Sequence, residues 1–332
     1  MDSLQSWGLD LVRALQQFSP GLDRLMRFFS FLGEEDFFSV LVAFVYWCVN
    51  AAIGMRLLTL LVLSDFVNAL FKWGFHAPRP YWVDARVKAM SVEPSYGLPS
   101  GHAQTGTAVW RFLAHVMTRP WARAAAVALV LSVSISRVYL GVHFPHDVVA
   151  GWVIGAALLA VFLWAEPRLA RRLATVSLVA QIATALLVSL VMVGLVLGVR
   201  AAIAGVPDPP GWAERATPAS SLAPGKPPFD TRNADGPLAD AGIALGAGAG
   251  LALRRRFVSF DARGPWSRRI ARLVLGLVVL MALRVGLAVV FPQEPLAAGM
   301  LFRVVRYAIM ALWLVWLAPL VFLRLNLARA TP

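Results

Sequence analysis

Three short polar clusters interrupt a mostly apolar chain, and each contains groups that bind anions or transfer protons. The first runs from Lys72 to Pro80, with Lys72 and Arg79 seven residues apart and Pro78 and Pro80 on either side of Arg79. Proline fixes the backbone and ends helices, so a rigid turn there would direct the guanidinium inward. The alternative is a lysine and an arginine that snorkel from the end of an apolar helix.

The second cluster is Leu98–His102, and it opens a predicted helix. Ser100 is a good N-cap residue, Gly101 allows an anion to approach closely, and His102 can transfer a proton. The free N–H groups of a helix N-terminus are a ready site for phosphate. A histidine at a membrane interface is the alternative interpretation of His102.

The third cluster runs from Ser136 to Asp147. Arg137 ends one predicted helix, and Pro145 begins the next, where proline is tolerated. His143 precedes that helix and Asp147 lies in its first turn, so the carboxylate can accept the Nδ1–H of the histidine. Nε2 would then be free as a nucleophile or base. A capping carboxylate beside an interfacial histidine is the alternative.

Together the clusters predict a phosphate-type anion site. They bring three cations, two histidines, one carboxylate and two helix N-termini, and arginine forks match phosphate geometry. The neighbouring His146 is expected to be a spectator. The sequence shows no carboxylate cluster of the kind that binds Mg²⁺, so neither a metal nor another cofactor is expected.

The elements that position these clusters are predicted to be membrane helices. Of 332 residues, 59% are hydrophobic and only 15% charged, and the mean hydropathy is +0.68. This balance excludes a disordered chain and a nucleic-acid-binding domain, and it argues against a soluble enzyme. The lone Cys48 excludes an internal disulfide and a cysteine metal cluster. The net charge of +13 is interpreted as topology, because Lys and Arg gather on the cytoplasmic side.

We therefore predict an all-α, polytopic integral membrane helical bundle with extra C-terminal transmembrane helices. The predicted spans are 36–53, 55–71, 101–117, 122–140, 147–164, 174–198, 238–253, 270–291 and 300–323. The arginine-rich connections mark the cytoplasmic face, so all three clusters fall on the opposite face. The predicted domains are 1–33, 34–198, 199–237 and 238–332.

Two segments outside the clusters carry their own predictions. Residues 1–33 are amphipathic, and they form either interfacial helices or a helical hairpin packed on the core. Residues 199–237 are rich in proline and glycine and are predicted to be an external loop that covers something. In the weakest span, Gly246, Gly248 and Gly250 favour close helix contact.

The three clusters resemble the signature motifs of the type 2 phosphatidic acid phosphatase superfamily. They match K-x6-R-P at Lys72, P-S-G-H at Pro99 and S-R-x5-H-x3-D at Ser136, in order and with the correct spacing. The membrane branch of this superfamily includes lipid phosphate phosphatases. The resemblance implies a six-helix phosphatase-type core, to which the extra C-terminal transmembrane helices are added. The flanking sequence most resembles the sphingosine-1-phosphate and dolichyl-diphosphate phosphatase branch.

The resemblance implies a role for each motif residue. His143 would attack phosphorus and form a phosphohistidine, Asp147 would orient it, and His102 would protonate the leaving oxygen and then activate water. The remaining motif residues would hold the phosphoryl oxygens: Lys72, Arg79, Ser100, Gly101 and Arg137.

The expected function is metal-independent hydrolysis of a lipid phosphate or diphosphate on the external face of the membrane. The expected partner is a membrane lipid, and a homo-oligomer is possible. The expected location is a bacterial inner membrane with the site facing the periplasm. The alternatives are a lipid phosphotransferase, a small-molecule phosphatase using the same site, and a non-catalytic transporter or binding protein on the same core.

Overall fold

The computed structural model describes residues 3–225, 227–292 and 296–330, and these residues are mostly helical. The prediction of an all-α fold is confirmed. Lys226 of the predicted external loop and residues 293–295 of a predicted connection lie outside the described residues. The α-helices are α1 Ser3–Gln16, α2 Asp23–Phe31, α3 Glu35–Phe44, α4 Ala51–Phe75, α5 Pro80–Val83, α6 Gly101–Met117, α7 Pro120–Tyr139, α8 Pro145–Thr175, α9 Leu178–Ala202, α10 Trp212–Ala216, α11 Asp235–Phe257, α12 Trp266–Val290, α13 Leu296–Leu312 and α14 Ala318–Arg324.

Seven helical segments of the described chain are long and apolar enough to cross a bilayer. They are Ala51–Val83, Pro120–Tyr139, Pro145–Thr175, Leu178–Ala202, Asp235–Phe257, Trp266–Val290 and Ala297–Arg324. The protein is thus an integral membrane protein. The predicted spans at 36–53 and 101–117 are helical but are not among these seven segments.

The chain divides into two compact units, each built from separated stretches of sequence. The first unit comprises residues 1–37, 67–161 and 198–233, and it contains all the motif residues. The second comprises residues 38–66, 162–197 and 234–332. The domain boundaries predicted from the sequence stay a prediction.

In the first unit, α1, α2 and α6 all pack on α7. Leu9 and Val12 of α1 are buried, whereas Leu4, Trp7 and Phe28 of these two N-terminal helices stay exposed. The amphipathic pattern is therefore explained by packing on one face, and the other face presents large apolar side chains. The buried face agrees with the predicted hairpin packed on the core, and the exposed apolar face is of the kind expected for interfacial helices.

The second unit is centred on the contact between α11 and α13. A Cβ added at Gly246 would lie 2.0 Å from the carbonyl oxygen of Ala308, and one at Gly248 would lie 2.7 Å from Cβ of Ala185. The glycines of α11 therefore allow close helix contact, as predicted. A π-helical turn at Trp313–Leu317 follows α13, and its Leu314 carbonyl accepts a 2.9 Å hydrogen bond from the indole of Trp47.

Candidate active site

The three predicted clusters meet in the first unit, at the end of α4 and at the starts of α6 and α8. Four of the ionisable motif side chains are essentially inaccessible, with relative exposures of 0–1% for Arg79, Arg137, His143 and Asp147. Burying charged groups is costly unless they are paired. Such a cluster therefore points to a binding or catalytic role rather than to packing.

Arg79 is fixed by backbone carbonyls on three sides. Its Nε donates to the carbonyl of Ser95 at 2.6 Å, Nη1 to that of Val142 at 2.8 Å, and Nη2 to that of Tyr96 at 3.1 Å. Nη1 also lies 3.3 Å from Nε2 of His143. The rigid turn predicted around Arg79 thus directs the guanidinium at the histidine of the third cluster.

The predicted histidine–carboxylate pair is present. Nδ1 of His143 lies 3.3 Å from Oδ2 of Asp147, which also accepts the backbone N–H of Phe144 at 2.8 Å. The Asp147 carbonyl accepts the N–H of Ser100 at 3.0 Å, and this bond joins the second cluster to the third. With Nδ1–H donated to the carboxylate, Nε2 keeps its lone pair on the side of Arg79.

The environment of His143 favours a neutral imidazole. Burial, followed by the positive charges of Arg79, Arg137 and Lys72, lowers the pKa of His143 well below its usual range. A neutral imidazole at neutral pH can act as a nucleophile.

The second cluster supplies two polar atoms that are buried and unbonded within the described chain, Oγ of Ser100 and Nε2 of His102. Ser100 stands at the N-cap position of α6, but its hydroxyl makes no capping hydrogen bond. A Cβ added at Gly101 would lie 3.1 Å from Oδ1 of Asn68. Asn68 in turn donates to the carboxamide oxygen of Gln104 at 2.9 Å. Gly101 therefore also makes room for a buried side chain of α4.

Several residues of the site lie outside the motifs, and the sequence alone does not reveal them. Arg137 donates to Oγ of Ser30 on α2 at 2.6 Å and pairs with the carboxylate of Glu93. Lys72 donates to Oγ of Ser95 at 2.9 Å. These partners come from loops and from the N-terminal helices, where no spacing pattern marks them.

The N-terminal helices also form one wall of the site. A Cβ added at Gly33 would lie 2.9 Å from the His102 ring, and one at Gly8 would lie 2.8 Å from the Phe144 ring. The His146 ring stacks on Phe144, with centroids 5.1 Å apart. Nε2 of His146 also lies 3.4 Å from Oδ1 of Asp147, so this histidine, predicted to be a spectator, contacts the carboxylate of the site.

Residues 198–233 fold onto the loops that carry the first and second clusters. Asp208 accepts the hydroxyl of Tyr96 at 2.7 Å and that of Thr231 at 3.1 Å, and it lies 3.1 Å from Nε2 of His76. The Tyr96 carbonyl is one of the three that hold Arg79. The predicted external loop therefore covers the turn that positions a motif residue.

Aromatic contacts extend this cover. The Trp82 ring, which closely follows the first cluster, lies 5.7 Å from that of Trp212 and 4.9 Å from that of Phe229. Arg215 donates to the Trp82 carbonyl, and the N–H of Asp230 donates to the carbonyl of Pro94 at 3.1 Å. The segment is thus fixed to the unit at several points.

Metal-binding side chains are sparse in the part of the chain that the structure describes. It holds no group of three or more His, Cys, Asp or Glu side chains that could bind a metal ion. The expectation that catalysis needs no metal stays a prediction, to be tested by chelation.

Comparisons with known proteins match the resemblance to the phosphatase superfamily. Residues 53–171 match the PAP2 superfamily model, and residues 238–330 match a second model, the transmembrane extension of PAP2 superfamily phosphatases. Glucose-6-phosphatase 3 of Mus musculus is 30% identical over 183 residues, which are 48% of this chain and 53% of that protein. Glucose-6-phosphatase catalytic subunit 1 of Canis lupus familiaris is 31% identical over 193 residues, 49% and 54% of the two chains. The chain thus spans about half the length of these relatives.

One solved structure is also similar, a transmembrane PAP2-type phosphatidylglycerolphosphate phosphatase from Bacillus subtilis. It is 24% identical and has a TM-score of 0.43, with 51% of this chain and 88% of that chain covered.

The two mammalian relatives are glucose-6-phosphatases, whereas the sequence flanking the motifs favours the sphingosine-1-phosphate and dolichyl-diphosphate branch. The placement at superfamily level is confirmed. The chain belongs to the PAP2 superfamily of phosphatases, as an integral membrane member that carries the superfamily's transmembrane extension.

Proposed function

We propose that this protein hydrolyses a phosphate ester without a metal ion, through a covalent phosphohistidine at His143. The observation that carries the proposal is the position of the His143 ring, which is buried between the carboxylate of Asp147 and the guanidinium of Arg79. The carboxylate fixes the tautomer, and the guanidinium lies where a phosphoryl oxygen would be neutralised as Nε2 attacks.

The reaction proceeds in two steps. In the first, Nε2 of His143 forms a bond to phosphorus, the bond from phosphorus to the ester oxygen breaks, and His102 gives that oxygen a proton. In the second, His102 takes a proton from water, the oxygen of that water attacks phosphorus, and the bond to His143 breaks to release phosphate. Acid–base help from a placed histidine contributes typically about 10²–10⁴-fold.

The phosphoryl oxygens are held by the remaining motif residues. Lys72, Arg79 and Arg137 supply three positive charges, and the Ser100 hydroxyl is buried and free to donate. Fixed donors of this kind stabilise the charge that spreads over the transferring group. The three cations supply the charge that a metal ion otherwise would.

Two substrate classes fit the site. The first is a lipid phosphate or diphosphate, because the unit that holds the site includes the membrane-length helix Pro120–Tyr139, along which a lipid tail would lie. The second is a small water-soluble phosphomonoester such as glucose 6-phosphate. Two observations favour the second class. The two mammalian relatives are glucose-6-phosphatases, and the segment 198–233 folds over the turn that bears Arg79.

We further propose that the site faces outward, into the periplasm if the membrane is a bacterial inner membrane. The support is the excess of arginine in the connections at the other ends of the spans. Intact spheroplasts should hydrolyse an added membrane-impermeant phosphate ester. Hydrolysis that appears only after lysis would reverse the orientation.

The decisive experiment measures phosphate release by the purified protein in detergent with EDTA present. The substrates are phosphatidate, a sphingoid phosphate, a polyprenyl diphosphate and glucose 6-phosphate. Activity lost in His143→Ala and retained in His115→Ala would support the proposal, because His115 is an exposed histidine of the same unit. The substrate that is hydrolysed decides between the two classes.

A second measurement tests the covalent step. With p-nitrophenyl phosphate, whose leaving group departs without a proton from His102, the variant His102→Ala should accumulate acid-labile, base-stable phosphate on the protein, because water is no longer activated. Absence of that adduct in an active enzyme would refute the phosphohistidine. Transfer to an added alcohol, without phosphate release, would favour a phosphotransferase. Binding without turnover would favour a transporter or binding protein.

A further inference from the structure

One acidic residue that no motif includes lies within the cluster of cations. Glu93 comes from the loop between α5 and α6, and its carboxylate pairs with Nη2 of Arg137 and lies 3.9 Å from Nη2 of Arg79. Its side chain is 19% exposed, whereas the two arginines are 0–1% exposed. The Tyr81 hydroxyl donates to the Glu93 backbone carbonyl at 3.0 Å and holds this part of the loop in place.

The carboxylate occupies donors that the proposed reaction needs for phosphate. Guanidinium forks bind carboxylate and phosphate in the same planar, charge-assisted way. Most donors of Arg79 already point at carbonyls, and Nη1 of Arg137 is bonded to Ser30. Nη2 of Arg79 already donates to the Tyr96 carbonyl and to Oγ of Ser95 at 3.2 Å. Nη2 of Arg137, which donates to Glu93, is therefore the position at which a phosphoryl oxygen would meet the bound carboxylate.

The balance of formal charge supports the same conclusion. Lys72, Arg79 and Arg137 contribute three positive charges, and Asp147 and Glu93 contribute two negative ones. Without Glu93, a phosphate dianion would meet a more positive site and would be held more tightly. In a phosphatase such tight binding would slow release of the product.

We propose that Glu93 is a positioning residue that pairs with Arg137 and Arg79 before substrate binds and competes with phosphate for them afterwards. It thereby sets the affinity of the site for the product. This inference rests on the proposed function, because it takes the two arginines to be phosphate ligands.

The test is the dissociation constant of inorganic phosphate, measured by titration calorimetry on the full-length protein in detergent. The dissociation constant of Glu93→Gln for phosphate should be at least about tenfold lower than that of wild type. One nearby charge changes the proton affinity of a buried group by a similar factor. Glu93→Ala removes the same charge and serves if the glutamine variant does not fold. Glu93→Asp keeps the charge and should bind phosphate much as wild type does. Glu214→Gln is the matched control, because Glu214 is an exposed glutamate of the same unit.

The outcomes are distinguishable. Weaker or unchanged phosphate binding in a folded Glu93→Gln or Glu93→Ala protein would overturn the inference and show that the carboxylate only braces the arginines. If wild type and variants all fail to bind phosphate, the phosphate site itself is overturned, and the proposed function fails with it. Tighter binding in both neutral variants, with wild-type affinity in Glu93→Asp and Glu214→Gln, would support competition by the charge.

Discussion

Gly155→Ala should inactivate the enzyme while leaving it folded, because the start of α6 lies directly against two glycines of α8. A Cβ at Gly151 would lie 2.7 Å from the carbonyl oxygen of Ser100, and one at Gly155 would lie 2.4 Å from that of Gln104. These two helices carry His102 and Asp147 in their first turns. Their spacing therefore sets how the two catalytic clusters meet.

The size of the effect follows from these distances. Ordinary contact begins at 3.4 Å, so the added methyl at position 155 must separate the backbones by about 1 Å. A displacement of about 1 Å at the reacting groups can reduce the rate about 10²-fold. Overpacking costs about 1–3 kcal/mol, and replacing a helical glycine by alanine returns about 1 kcal/mol. Net stability should therefore fall by no more than about 2 kcal/mol.

The assay compares kcat/KM for phosphate release with the melting temperature in detergent. Gly155→Ala should lose about 10²-fold in kcat/KM and only a few degrees in Tm. Gly194→Ala is the matched control and should keep full activity. Apart from its chain neighbours and the backbone of its own helix, no atom of the described residues lies within 4 Å of a Cβ at that position. A folded Gly155→Ala enzyme within threefold of wild-type activity would refute the view that this helix contact sets the catalytic geometry.

Four further predictions concern pH, metal dependence, the covering segment and the second unit. Because burial and the neighbouring cations lower the pKa of His143, the imidazole stays neutral as the pH falls. The acid limb of kcat/KM should then lie well below about pH 6.5. Lys72→Met should move that limb to higher pH, and a limb that does not move would contradict the assigned cause. Phosphate release should persist after dialysis against EDTA, and activity restored only by Mg²⁺ would refute metal independence. Asp208→Asn should increase proteolysis within residues 198–233 and lower kcat/KM about tenfold, since charged hydrogen bonds contribute about 1.5–3 kcal/mol. An unchanged cleavage pattern would refute this anchoring role. Gly246→Ala should lower Tm, because its Cβ would lie 2.0 Å from the Ala308 carbonyl oxygen, and a Tm at or above that of wild type would contradict the close contact.

The sequence predicts most of the helices and the pairing of His143 with Asp147, for physical reasons that are local. Apolar runs of membrane length identify the spans, and Ser100 and Pro145 mark the starts of α6 and α8. The four-residue spacing of His143 and Asp147 predicts their pairing, which the structure shows. Such signals depend on neighbours along the chain and can be read without knowing the tertiary fold.

The partners of the motif residues could not be predicted, because they depend on tertiary packing. Glu93 lies in an irregular loop, and Ser30 lies 107 residues before the arginine it contacts. Ser100 stands at the predicted N-cap position, but its residue type does not reveal that its hydroxyl makes no capping bond. Composition predicts that residues 199–237 cover something, but it does not predict that Asp208 would contact Tyr96.

The minimal catalytic unit includes helices that precede the region matched by the superfamily model. The match begins at residue 53, yet Ser30 holds Arg137, and Gly33 lets its segment lie against the His102 ring. A transplant of residues 53–171 into another membrane protein would carry every motif residue but lose one wall of the site. The segment that similarity identifies is thus shorter than the segment that must be inherited together for the chemistry to work.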